Sequence, residues 1–299
     1  MDIYYDRDKL LALRKKLHQH PELSGEEYHT AGMIREYVKG HGPDQIIEQL
    51  GGAGLALVYE GRQQGPTVLF RCDLDALPIE EVNDFDYRSQ NPGAAHKCGH
   101  DGHMSIISGL SQVISYNRPA RGRVVLLYQP SEENGQGAAK VLEDDKFNLI
   151  VPDRVFALHN LPGYPAGSVI LKKGTFAAAS KGMINKLHGR TAHAGEPENG
   201  RSPALAMARI VEELTHMPGK LSLEDYSLIP VIHARLGEIA FGTTPGYAEV
   251  MATLRTYSNS DMDQLTREAI ASVKRHAREH GLGEEVSWTE EFPATVNDA

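Results

Sequence analysis

Cysteine is scarce in this chain of 299 residues: there are two, Cys72 and Cys98. Two thiols cannot build a disulfide framework, and they fit a reducing compartment. No apolar stretch approaches the roughly 20 residues that a membrane-spanning helix needs. The first residues, Met-Asp-Ile-Tyr-Tyr-Asp-Arg-Asp-Lys, lack the basic-then-apolar pattern of a signal peptide. There is no long basic block, and the net charge of −9 disfavours nucleic acid as a partner. Internal repeats and low-complexity segments are absent as well. Together these absences predict a cytoplasmic protein that binds neither membrane nor nucleic acid. Hydrophobic residues at 40% and charged residues at 24% are ordinary for a globular chain, and the length predicts about two domains.

What is present is a set of short apolar runs that end in metal-capable side chains. Val68–Phe70, Val124–Tyr128 and Val155–Leu158 read as buried parallel strands. They are followed by Asp73 and Asp75, by the pair Glu132–Glu133, and by His159. Between the first two lies His-Lys-Cys-Gly-His-Asp-Gly-His (96–103). Sites in open α/β sheets form just beyond the carboxyl ends of such strands, so these residues are expected to converge on one crevice.

The residue types suit a divalent ion. Cys98 and His100 offer a thiolate and an imidazole, with Asp101 and His103 on the same loop. Adjacent carboxylates at a strand end repel each other and lose solvation. Glu132–Glu133 is either an exposed acidic turn or a division of labour, one glutamate on the metal and one moving a proton. His159 is either a core histidine or a ligand. Asp73 can accept a hydrogen bond from a ligating imidazole and so fix its tautomer, a role for which Asp75 competes. Cys72, in strand register, reads as core.

Along the chain, helices are expected at 6–19, 25–40, 102–117 and 136–145, with Asp101 capping the third. Strands are expected at 53–60, 67–72, 123–128 and 154–159. The pattern changes near Gly174. Strand (178–188), helix (202–217), strands (228–238 and 247–257), helix (261–281) and strand (284–291) follow, the β-α-β-β-α-β order of a ferredoxin-like unit. The fold class is therefore α/β, a layered, mainly parallel sheet with helices plus an inserted ferredoxin-like unit. Residues 1–176 make the first domain, with 292–299 returning to it, and 177–291 make the second.

The chain closely resembles the M20 family of metal-dependent peptidases and amidohydrolases. The likeness rests on His-Gln-His-Pro-Glu-Leu-Ser (18–24), Arg-Cys-Asp-Leu-Asp-Ala-Leu-Pro-Ile (71–79), Cys-Gly-His-Asp-Gly-His (98–103), Gln-Pro-Ser-Glu-Glu (129–133) and Ala-Leu-His (157–159). It is best to the branch of N-acyl-amino-acid amidohydrolases, hippurate hydrolase and N-acetyldiaminopimelate deacetylase. The resemblance implies Cys98, His100, Glu133 and His159 as metal ligands, with Cys98 placed to bridge two ions. It implies Glu132 as general base and Asp73 as the residue that orients the site. It implies one or two zinc or manganese ions per subunit and a substrate that is an N-acyl amino acid or small peptide.

The inserted unit resembles the family's lid and dimerisation domain, which implies a homodimer. Within it Thr-Ala-His-Ala (191–194) points to His193 as a group that polarises the scissile carbonyl, the alternative being a solvent-exposed loop histidine. Arg255 stands where relatives hold the substrate carboxylate, the alternative being a surface ion pair. Two departures accompany the likeness. Gly242 occupies a place where many relatives have asparagine, and the sequence stops at Ala299, before the family's final metal-binding histidine. Two rival expectations follow. One is a non-catalytic remnant that binds metal or oligomerises, and the other makes Cys98 a nucleophile with His100 or His103 as base.

Overall fold

A computed structural model describes residues 4–298. The expectation about the end at Ala299 lies outside the described residues. The chain divides into two compact units, Met1–Ala166 and Gly167–Ala299.

The first unit contains helices α1 (Arg7–Gln19), α2 (Tyr28–Lys39), α3 (His100–Tyr116) and α4 (Gly137–Glu143). Its strands are β1 (Gln45–Leu50), β2 (Gly54–Glu60), β3 (Thr67–Asp73), β4 (Arg123–Gln129) and β5 (Arg154–Ala157). They form one sheet in the order β1-β2-β4-β3-β5. β3 runs parallel to both β4 and β5, whereas β2 is antiparallel to β1 and β4. The sheet is thus mixed rather than mainly parallel. The reason lies in the turn after β1, where Gly51 and Gly52 take φ of 64° and 117°. Such angles favour glycine and allow a tight antiparallel return. β1 itself has no counterpart in the sequence expectations.

Alternation along the strands explains the long apolar runs. Leu55, Leu57 and Tyr59 of β2 and Leu126 and Tyr128 of β4 pack with Leu17, Ile34 and Met104, and Cys72 joins this cluster. Ala56 and Val58, with Val125 and Leu127, pack on the other face with Val141 and Ile150. Both faces are covered, so residues 55–59 of β2 and 124–128 of β4 are apolar at every position. β5 differs: Val155 is 58% and Phe156 51% exposed. The expected buried strand is therefore an exposed edge strand, since among the described residues only β3 pairs with it.

α1 is capped by Asp6, whose side chain accepts from the Lys9 amide. α3 starts one residue before Asp101, with Gly99 as its cap at φ 92°. The expected Asp101 cap is not formed, because that carboxylate binds His18 and Arg14 instead.

The second unit contains β7 (Ala179–His188), α5 (Ala204–His216), β10 (Val231–Leu236), β12 (Tyr247–Thr256), α6 (Asn259–Glu279) and β13 (Gly283–Phe292). These follow one another as β-α-β-β-α-β, and the antiparallel sheet runs β10-β12-β7-β13. A short β9 (Ser227–Leu228) adds to β12. Met183, Leu187, Val250 and Leu254 of the sheet bury against Ile210 and Leu214 of α5 and Leu265 and Val273 of α6. α6 is capped by Ser258, whose side chain accepts from the Asp261 amide, and the chain turns at Gly281 with φ 62°. β8 (Ala192–His193) pairs with β11 (Thr243–Thr244), and β6 (Gly174–Ala177) pairs with β14 (Thr295–Asn297). No described helix is long and apolar enough to cross a membrane.

Candidate metal centre

Four segments of the first unit meet at the carboxyl ends of its parallel strands. β3 ends at Asp73, and in register with it β4 ends at Gln129, three residues before Glu132. Arg71 of β3 lies opposite Ala157 of β5, two residues before His159. The fourth segment is the loop that carries Cys98 into α3, whose first turn holds His100 and His103.

The geometry centres on His100. Its Nδ1 lies 2.9 Å from the carbonyl oxygen of Asp75 and donates to it. That bond leaves Nε2 as the nitrogen facing the site, where a proton or a cation can bind. Nε2 has no hydrogen-bond partner among the described residues, although His100 is 1% exposed. Around it stand Asp73 Oδ2 at 3.7 Å, Glu133 Oε1 at 3.7 Å and Glu132 Oε2 at 3.9 Å. Asp73 and Asp75 both compete to fix an imidazole tautomer. Asp73 is too distant from His100 for that bond, and Asp75 makes it through its backbone carbonyl.

On the other side Cys98 Sγ lies 3.2 Å from His159 Nε2, and His159 Nδ1 lies 2.8 Å from the Asn160 carbonyl. Among the described residues, three groups of donor atoms each fit within 4.8 Å: Cys98, His100 and His159; Asp73, His100 and His103; His100, Glu132 and Glu133. His100 belongs to all three.

These residues fit a divalent cation. Ligand atoms about 2.0–2.3 Å from a shared ion stand roughly 3–4 Å from one another, the spacing seen here. A buried nitrogen and Glu133 Oε1 both lack partners, which is costly unless something positive lies between them. Sulfur, imidazole and carboxylate together suit a borderline transition ion.

The electrostatics agree. Burial, then the charges of Asp73 and Glu133, push Glu132 up to about 7. Burial likewise raises Glu133 and Asp73, the latter opposed by the Arg71 guanidinium. Hydrogen bonds from His100 and His159 lower the Cys98 thiol. Its thiolate in turn raises His159 to about 9. His100 is pushed up to about 11: burial opposes its charge, but Asp75 and Cys98 outweigh burial. The cluster therefore draws positive charge, and protons and a cation compete for the same atoms.

The structure thus brings Asp73, Cys98, His100, Glu132, Glu133 and His159 together. His193 stands in the second unit on β8, exposed and opposite Thr243. Arg255 stands there too, exposed on β12 between Ser180 and Leu228. Sequence reasoning overlooked Asn160, whose backbone N and side-chain Oδ1 lie 3.0 and 2.6 Å from His103 Nε2. It also overlooked Gly99, where an added Cβ would come within 2.5 Å of Asn160 Oδ1. Their only signal was adjacency to His159 and Cys98.

The chain is 32% identical over 291 residues to the N-acetyl-L-cysteine deacetylase of Bacillus subtilis, across 97% of this chain and 69% of that protein. It is 30% identical over 270 residues to the N-acetyldiaminopimelate deacetylase of Halalkalibacterium halodurans, across 88% and 71%. A Bacillus subtilis crystal structure described as a dinuclear metal binding peptidase of the M20 family matches with a TM-score of 0.78 at 27% identity. That match covers 97% of this chain and 76% of that one. Fold, site and relatives together define a metal-dependent hydrolase of amide bonds. The chain belongs to peptidase family M20/M25/M40, whose model matches residues 69–299.

Proposed function

We propose that this protein hydrolyses the amide bond of N-acyl amino acids or small peptides in the cytoplasm. In this reading Cys98, His100, Glu133 and His159 hold one or two zinc or manganese ions. A bound cation supplies Lewis acidity, polarising the amide carbonyl and easing ionisation of water. Glu132 takes a proton from the attacking water and delivers it to the departing amine. Its raised affinity for protons, about 7, matches a group that must both accept and donate near neutrality. Asp73, buried and paired with Arg71, orients the site beside His100.

Residues 177–291 act as a lid and dimerisation domain in this reading. His193 polarises the scissile carbonyl, and Arg255 holds the substrate carboxylate. What supports Arg255 is that its side chain is exposed and forms no ion pair among the described residues. The deacetylase names of the relatives support the substrate class.

The observation that carries the reading is His100 Nε2, buried, unpartnered and common to every donor group. The experiment is turnover of N-acetyl amino acids and hippurate by the purified chain, with and without chelator. Hydrolysis lost to chelator and restored by zinc or manganese is the expected result. Hydrolysis that survives complete metal removal would overturn the reading.

A further inference from the structure

The stretch His-Gln-His-Pro-Glu-Leu-Ser-Gly-Glu-Glu (18–27) supplies none of the residues assigned above. Three of its side chains nevertheless reach the loops that carry them. The His18 ring is buried between two carboxylates, with Nδ1 2.8 Å from Asp101 Oδ2 and Nε2 3.1 Å from Glu81 Oε2. Asp101 directly follows His100 and is also gripped by Arg14 Nε at 2.7 Å. Ser24 Oγ donates to Asp75 Oδ2 at 2.7 Å. That same oxygen accepts the Glu133 amide at 2.9 Å, while the Asp75 carbonyl accepts from His100. Glu27, fully buried, accepts the Ser131 amide through Oε1 at 2.7 Å. Ser131 precedes Glu132 and holds φ at 51°, a conformation that costs a non-glycine residue energy unless its surroundings enforce it.

The segment is itself anchored. The Ala76 amide donates to the Glu22 carbonyl at 2.8 Å, and Leu23 bridges to Ala76. The Glu22 carboxylate accepts the amide and hydroxyl of Thr30 in α2 at 2.7 and 2.8 Å. A pinned segment therefore makes one polar contact with each of three separate segments, the first turn of α3 and the loops after β3 and β4. Each contact falls on a residue adjacent to, or bonded to, a proposed ligand or the proposed base: Asp101 follows His100, Asp75 bonds His100 and Glu133, and Ser131 precedes Glu132. Apolar packing would hold the loops together without fixing the angle of any side chain, whereas directional hydrogen bonds fix that angle.

We propose that residues 18–27 are a positioning brace for the metal centre, with His18 acting through Asp101, Ser24 through Asp75 and Glu27 through Ser131. The proposal rests on the metal-binding reading above. It concerns how well the ligands are aimed, so it is tested on binding rather than turnover. The metal-free full chain is titrated with cobalt(II), following the thiolate-to-cobalt absorption, alongside thermal unfolding of the metal-free proteins. The variants are Ser24→Ala, Glu27→Ala and Glu27→Gln, the last keeping the accepting oxygen.

Ser24→Ala and Glu27→Ala are expected to weaken cobalt binding about 10- to 100-fold and to shift its spectrum. Their metal-free unfolding midpoints should stay within a few degrees of the parent, and Glu27→Gln should restore affinity and spectrum. Parental affinity and spectrum in both alanine variants would overturn the brace. So would losses that track metal-free unfolding in both, or no recovery in Glu27→Gln. A parent chain that binds no cobalt would instead sink the metal-binding reading, and the brace with it.

Discussion

Cys98 and His159 are 61 positions apart in sequence, and their Sγ and Nε2 atoms lie 3.2 Å apart. Hydrogen bonds from His100 and His159 lower the thiol's pKa, which favours the thiolate form that alkylating reagents attack. Cys72 is fully buried, and burial drives its pKa up. Iodoacetamide is therefore expected to modify the chelated chain once, at Cys98, and to leave it unmodified when zinc is present. Peptide mapping by mass spectrometry reads both results. Modification at Cys72, or equal rates with and without metal, would contradict the placement of Cys98. Turnover lost to chelator while unaffected by alkylating reagent in the metal-loaded chain would exclude the thiol-nucleophile alternative.

Glu132 and Glu133 share a turn but differ in expected effect. Glu132→Ala should keep the metal content of the parent while turnover falls about 10²- to 10⁴-fold, the usual worth of a positioned general base. Glu133→Ala should lose metal. Elemental analysis with a rate measurement on each variant separates them, and full activity in Glu132→Ala would end its assignment as base.

Gly99 holds φ at 92° where α3 begins, and a Cβ there would meet the Asn160 amide that reaches His103. Gly99→Ala is expected to cost about 1–2 kcal/mol, from the left-handed backbone and the displaced side chain. It should also weaken metal binding, because it tilts the turn carrying His100. Denaturant unfolding of the metal-free chain and a metal titration check the two effects separately.

The sheet of the first unit predicts a contrast. Leu57→Ala removes a fully buried side chain from β2 and is expected to cost about 2–5 kcal/mol. Phe156→Ala on the exposed β5 loses chiefly its stacking on Phe70, at 5.4 Å between centroids, and is expected to cost about 1 kcal/mol. Equal losses would contradict the edge position of β5.

In the second unit Glu213 is paired with Arg275 and with His276 Nε2 at 2.7 Å. Burial opposes its charge, but these partners hold its carboxyl down at about 2. A depressed carboxylate stabilises the fold above its unfolded value near 4.5, and that stabilisation disappears as pH falls toward 2. Glu213→Gln should therefore lower stability at pH 7 by on the order of 1 kcal/mol and flatten the acid limb between about 4.5 and 2. Unfolding midpoints across that range measure it.

The sequence made the cluster readable because strand ends in an α/β sheet gather, whatever lies between them. That logic located Cys98, His100, Glu132, Glu133 and His159 without contact information. It misjudged the mainly parallel sheet and the burial of β5 for one shared reason. An apolar run such as Gly54–Glu60 looks the same in either direction, and a run such as Val155–Leu158 looks the same at an edge or at the centre. Direction came from the glycine turn at 51–52, and edge position came from pairing that no local pattern encodes. The tautomer of His100 was unreadable too, since it depends on the Asp75 backbone carbonyl rather than on a side chain.

Because His100 takes part in every donor group, the most direct measurement is metal content per subunit before and after His100→Ala, in chain shown to be folded by circular dichroism. The parent is expected to hold one or two equivalents of a divalent ion and the variant less than a tenth of that. A folded His100→Ala variant with the parent's full complement would contradict the account.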